Sequence, residues 1–324
     1  MSPVDCSSFF LWYAYREQLS GISLCCVVIM GLLVVPIAFM NILILYIIMS
    51  KPAFHTPSNI FICNLAVSDI TVAVIGIPLS ITWRLYEQTS GDPEIACYLG
   101  YSAIVAGTTV SGASSLTLIS AILDRYLALR FHLQYPSVVT NARVITTCIL
   151  TWFSSSTIAM VIFIGMDVYD FLIASLLGPS MSLLFFAYYK IFRAVHHHQN
   201  QIHNQTSNVE QQGTFPNLSR YKKSASALLY LFVFFFIFFA PYSLFSLYHQ
   251  VQGHTIYYMR GFAISVTLIY LNSALNPVIC CWKIRELRRA VKKTLFQFIG
   301  KDMNSAEMGN NSRLSTINRT RDIQ

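Results

Sequence analysis

Asp69 is the only formally charged side chain between Lys51 and Arg84. At the middle of a lipid-spanning segment a carboxylate costs at least ~2.5 kcal/mol, so it must face other polar groups inside a bundle. The sequence offers Ser114, Asn272, Ser273 and Asn276 as partners. Their oxygens, with the charge of Asp69, form a donor set for a small hard cation. A protonated Asp69 in a structural polar network uses the same residues, and their types alone leave both chemistries open. A second charged group, Asp124-Arg125-Tyr126, closes an apolar run. Its neighbouring opposite charges either snorkel to water or hold Arg125 until a partner draws it away. Pro36, Pro78, Pro179, Pro241 and Pro277 each free a backbone carbonyl and permit a bend. The tract His196-His197-His198 has metal-ligating side chains but lies in a polar, basic stretch that favours solvation. No HExxH, phosphate-binding glycine loop or nucleophile elbow is present, so an enzyme is not expected.

The elements that must carry these groups follow from the spacing of charge. The 324 residues are 55% hydrophobic and 11% charged, too little charge for the surface of a soluble domain. No Asp, Glu, Lys or Arg occurs between Glu17 and Lys51, Glu94 and Asp124, Arg143 and Asp167, Asp170 and Lys190, Lys223 and Arg260, or Arg260 and Lys283. Each gap holds the roughly 20 residues that cross a hydrocarbon core. With the Asp69 segment this predicts an all-α membrane protein, a seven-helix bundle with spans near 22–49, 58–82, 98–124, 143–165, 170–193, 224–249 and 257–281. Residues 1–21 are expected as an extracellular N-terminus, 22–282 as the membrane domain and 300–324 as a disordered cytoplasmic tail.

The net charge of +8 is distributed as in a membrane protein rather than a nucleic-acid binder. With the N-terminus outside, only Arg16, Arg84 and Arg260 of the 22 basic residues face outward, beside Asp5, Glu17, Glu87, Asp92, Glu94, Asp167 and Asp170. The outer acids could meet a basic ligand, but simple solvation is the stronger expectation. The link between the fourth and fifth spans is short, Met166 to Tyr169, and the third inner loop, 196–221, is read as flexible. Ile284, Leu287, Val291, Leu295 and Phe298 recur at steps of three and four, opposite Arg285, Arg289, Lys292 and Lys293. Residues 283–299 are therefore expected as an amphipathic helix lying on membrane lipid.

Taken in order, these features resemble the rhodopsin-like (class A) G-protein-coupled receptors. The motifs are Asn41, Asn64-Leu65-Ala66-Val67-Ser68-Asp69, Asp124-Arg125-Tyr126, Trp152, Pro241 and Asn272-Ser273-Ala274-Leu275-Asn276-Pro277, each in its proper span. The resemblance implies a plasma-membrane receptor that passes an extracellular signal from a small molecule, lipid or peptide to a heterotrimeric G protein. It implies allosteric Na+ at Asp69, Ser114, Asn272, Ser273 and Asn276. It also implies coupling through Asp124, Arg125, Tyr126, Leu133, Tyr188, Pro241 and Pro277, and a ligand pocket between helices three, five, six and seven with Thr108, Ser111, Phe239, Tyr242, Ser246 and Tyr270. The short link and the stretch Leu127 to Thr140 look like the melanocortin, adenosine and cannabinoid group.

Departures from the family pattern carry expectations of their own. Phe239 replaces the sixth-helix Trp and Cys280 the Tyr that would meet Tyr188, so a non-coupling homologue is the alternative reading, ahead of a transporter or channel. Gly107 stands where amine receptors place an Asp, and no acid in the sixth helix faces Arg125, which implies ligand-independent signalling. The family's third-helix disulfide cysteine would fall at Gly100, whereas this chain has Cys97. Cys6 is the other outward thiol, which leaves two alternatives open, a Cys6–Cys97 bridge or two free thiols.

Overall fold

The computed structural model describes residues 5–89, 91–131, 134–176, scattered positions up to 193, and 216–298, with 216–229 described by their backbone alone. Six helices among the described residues are long and apolar enough to cross a membrane. They are Arg16–Ser50, Pro57–Glu87, Pro93–Ala128, Asn141–Phe163, Tyr230–Gln252 and Ile256–Lys283. A further helical segment starts at 166 and supplies the fifth position of a seven-helix bundle. Every regular element among the described residues is helical. The third inner loop and the tail beyond 300 lie outside the described residues, apart from the early start of the sixth helix at Pro216.

Local chemistry sets where the helices begin. Pro57 and Pro93 occupy the first turns of the second and third helices, where an amide hydrogen is not needed. The Asp92, Thr140 and Thr255 side chains accept from Glu94, Arg143 and Tyr258 amides, capping the third, fourth and seventh helices. The second helix widens into a π turn at Val72–Gly76, just before Pro78. That wider turn takes up the backbone disruption of an interior proline, and its Gly76 carbonyl accepts from the Tyr270 hydroxyl at 3.4 Å.

Two connections differ from expectation. The fifth segment begins at Met166, so the link from the fourth helix is only Ile164 and Gly165. Asp170 is thereby a full turn inside the helix. The N-terminus is not a simple outer strand of chain: Ser7–Ala14 forms a helix with Phe9 and Trp12 buried.

Side chains pack in three layers. At one end, Trp12, Trp83, Tyr101, Tyr258 and Phe262 form an aromatic layer around Cys97. The middle layer joins Met30, Ile37, Val72, Val110 and Tyr270. At the other end, Ile44, Leu65, Leu118, Leu231 and Cys280 pack with Leu287 and Val291 of the C-terminal helix Arg285–Phe298. The described part of that helix's apolar stripe thus enters the bundle core, because the chain turns back beneath the first and seventh helices.

Candidate functional site

Asp69 is fully buried, and its Oδ2 accepts from Asn276 Nδ2 at 2.9 Å. Asp69 Oδ1 and Asn272 Oδ1 have no hydrogen-bond partner among the described residues. Ser114, Asn272, Ser273 and Asn276 are all buried on the third and seventh helices. Asn41 ties the first helix to the seventh, donating to the carbonyls of Ile37 at 2.9 Å and Ser273 at 3.4 Å. Asn64 ties three helices: it donates to Thr117 Oγ1 at 2.6 Å and accepts from Trp152 Nε1 at 3.1 Å. An orphaned oxygen on a buried carboxylate, with a second orphaned oxygen on Asn272 one helical turn before its partner Asn276, fits a small oxygen-seeking cation. The donors are one acid and neutral oxygens, which suits a monovalent ion, and no group of three His, Cys, Asp or Glu side chains able to hold a metal occurs among the described residues.

At the end carrying the C-terminal helix, Arg125 and Asp124 form a buried ion pair through Nε and Nη2 to Oδ2. Asp124 also accepts from Ser58 at 2.9 Å and from the Tyr135 hydroxyl at 2.7 Å. Burial, ahead of the nearby Asp124, pushes the Tyr135 phenol up, so it remains a donor. The carboxylate is therefore fixed from two other segments and holds Arg125 in turn. Tyr126 accepts from Arg130 at 3.1 Å. Leu133 and Tyr188 lie outside the described residues. Pro241 and Pro277 are interior to the sixth and seventh helices.

Between these layers and the aromatic end lies a cavity of about 270 Å³. Thr108, Ser111, Phe239, Tyr242 and Tyr270 line it, together with Trp83, Ile104, Leu116, Phe235, Phe262 and Ile269. Its walls include Ser80 of the second helix and Ser155 and Ile158 of the fourth, so it is wider than a pocket among helices three, five, six and seven. Ser246 does not line it: that side chain is 1% exposed and sits one turn beyond Tyr242, in the helix packing, where its hydroxyl has no partner among the described residues. Thr108 hydrogen-bonds Tyr169, a wall residue that motif reading did not identify. Phe239 stacks on Phe235 with centroids 4.1 Å apart. A Cβ on Gly107 would come 2.8 Å from the Tyr270 hydroxyl, so glycine there lets the seventh helix reach the third.

The N-terminal helix caps this end. Trp12 packs on Trp83, Tyr258 and Phe262, with centroids 5.8, 6.3 and 5.5 Å away. Cys6 is disulfide-bonded to Cys97, and Tyr101 donates to the Asp5 carbonyl at 2.8 Å. Arg84 and Glu87 are buried beneath the cap rather than solvated, at 2% and 3% exposure. The Arg84 guanidinium lies 5.3 Å from the Trp12 ring and 4.8 Å from that of Trp83. The bridge closes a loop of 91 residues. Membrane helices one and two keep that loop ordered in an unfolded membrane state, so Cys97→Ser should cost less than the usual ~2–4 kcal/mol. Its larger effect should be to free the cap, read as new alkylation of Cys6 in the folded protein. An equal extent of alkylation at Cys6 in the unreduced wild type would count against the bridge.

Asp170 is a further buried acid, beside Asp69, Glu87 and Asp124, and has no exposure, contrary to solvation on the outer surface. The two-residue link draws it into the bundle, where it accepts from Tyr258 at 2.8 Å and Tyr242 at 3.4 Å. His249 Nδ1 is 3.2 Å from the same carboxylate. Asp167 remains outside, with its side chain 78% exposed.

A seven-helix bundle with a capped cavity towards one end, a lone central acid and an Arg–Asp pair at the other defines a membrane receptor rather than an enzyme. Residues 40–172 and 168–279 match the family described as 7 transmembrane receptor (rhodopsin family), and the chain belongs to that family. It is similar to melanocortin receptor 4 of Danio rerio, 23% identical over 264 residues that cover 78% of each protein.

Proposed function

We propose that the chain carries a signal from a small, largely apolar ligand in the cavity to a heterotrimeric G protein at the Arg125 end. On this reading the disulfide-bonded face is extracellular and the C-terminal helix cytoplasmic, as the basic charge distribution favours. The observation that carries it is the separation of roles along one bundle: a cavity at one end, the Arg125–Asp124 latch at the other, and Asp69 between them. Its volume of about 270 Å³ suits a small molecule or the tail of a lipid, or one side chain of a peptide. Outward movement of the sixth helix about Pro241 would release Arg125 from Asp124 to meet the G protein. Sodium, when bound, supplies a positive charge that stabilises Asp69 as a carboxylate. Asp69, Asn272 and the neighbouring Ser114, Ser273 and Asn276 would hold it.

The test is nucleotide exchange by purified α subunits of each type with receptor in lipid nanodiscs, with Arg125→Ala alongside. Basal or ligand-evoked exchange should be lost at least about tenfold in the variant, about 1.4 kcal/mol of coupling. Absence of exchange with every subunit, with and without a ligand library, would favour the second reading, a non-coupling homologue. Two observations favour that reading: Phe239 is stacked into the Phe235 core and Cys280 is buried in the same layer.

A further inference from the structure

At the capped end, the start of the fifth segment, the end of the sixth helix and the link to the seventh close around two imidazoles. His249 Nε2 and His254 Nδ1 are 3.0 Å apart. The other ring nitrogen of His249 is 3.2 Å from Asp170 Oδ2, and its Nε2 is 3.8 Å from Asp167 Oδ1. Tyr258 of the seventh helix stacks on His249 with centroids 4.3 Å apart, while donating to Asp170. Tyr242 of the sixth helix also donates to Asp170, and Tyr169 is buried beside it. Arg260 is turned away, donating to the Gln18 carbonyl.

Hydrogen counting shows what this arrangement tolerates. The Asp170 carboxylate, 3.2 Å away though without a hydrogen bond to it, favours a hydrogen on His249 Nδ1, and in the neutral pair His249 Nε2 then accepts from His254 Nδ1. His254 Nε2 is then a buried nitrogen with no partner among the described residues. One added proton goes to His254 Nε2 and leaves the bond from His254 Nδ1 to His249 Nε2 in place. A second puts hydrogens on both facing nitrogens, which cannot stay 3.0 Å apart. We propose that the His249–His254 pair is a proton-binding site through which the receptor senses acid on this face. Double protonation separates the two rings, leaves His249 with Asp170, and releases the link at Gly253.

The link is built to move as a unit. Gly253 has φ +72°, and its amide donates to the His249 carbonyl at 2.8 Å, ending the sixth helix in a left-handed turn. Burial, and then His249, hold the His254 pKa below the ordinary histidine range, against the opposing pull of Asp167 and Asp170. A histidine with a lowered pKa binds its proton more tightly once the contact opens. The closed contact is therefore fully favoured above about pH 6.5 and weakens as pH falls below it.

The physiological side of this inference rests on the extracellular assignment of the capped face, but its test does not. Thermal unfolding of the purified full-length receptor is followed from pH 8 to pH 5.5 for wild type, His254→Gln and His249→Gln. Below pH 6.5 the wild-type midpoint should fall by roughly 3 °C more than that of either variant. Parallel acid profiles for all three would overturn the proposal. Exchange on the G protein is measured at the same pH values. A receptor with the histidine-dependent thermal profile but no exchange would keep the proton site and remove the coupling, whereas a histidine-independent profile removes the proton site whatever the coupling does.

Discussion

Asn276→Leu should lower the stability of the folded bundle by roughly 3 kcal/mol, more than a typical surface substitution by a wide margin. Asn276 Nδ2 supplies the hydrogen bond to Asp69, whose other oxygen already lacks a partner among the described residues. Leucine removes the donor and keeps the bulk, leaving a carboxylate with no exposure and nothing to replace its water. The diagnostic variant is the double one: Asp69→Asn in the Asn276→Leu background removes the charge that was stranded and should recover much of the loss. Unfolding midpoints in sodium and in N-methylglucamine add a second axis. Wild type should be more stable in sodium, and Asp69→Asn should show no preference. Indistinguishable midpoints for wild type and Asn276→Leu would mean that Asp69 is satisfied from elsewhere.

Gly100→Leu should displace the N-terminal cap. A Cβ at Gly100 would lie 2.1 Å from the Phe9 ring, far inside contact distance. Phe9 stands three residues after Cys6, and Gly100 three after Cys97, so the cap is joined to the third helix on two successive rungs, one covalent and one of packing. Overfilling the second rung should cost about 1–3 kcal/mol. It should also lift Trp12, 1% exposed in the native fold, towards water and shift tryptophan emission to the red. Phe9→Ala in the same chain restores the space, so the two substitutions together should cost less than their sum. Strict additivity, with no change in emission, would show that the ring can rotate out of the way without moving the helix.

The features legible in the sequence were those governed by one dimension. Charge-free intervals of lipid length located the helices, although the third begins at Pro93 rather than near 98. The pairing of Asp69 with Asn276 followed from the cost of a carboxylate in lipid, which leaves few partners to choose from. What escaped depended on depth. Asp170 follows a polar link, and its burial is decided by whether that link is four residues or two. Phe9 and Trp12 form an apolar patch too short to span a membrane, and only the opposing Gly100 and Trp83 show why it folds inward. Ser246 shares a helix with Tyr242 but faces neighbouring side chains instead of the cavity, a rotation that helical spacing leaves undetermined without the partner helix.

The bond between Cys6 and Cys97 gives the third helix a handle at the very start of the chain. That helix runs unbroken from Pro93 to Arg130 and carries Thr108, Ser114 and Arg125 along its length. A partner protein or antibody that grips the helix Ser7–Ala14 therefore pulls, through the bond one residue before it, on the shaft that carries the cavity wall and the Arg125 latch.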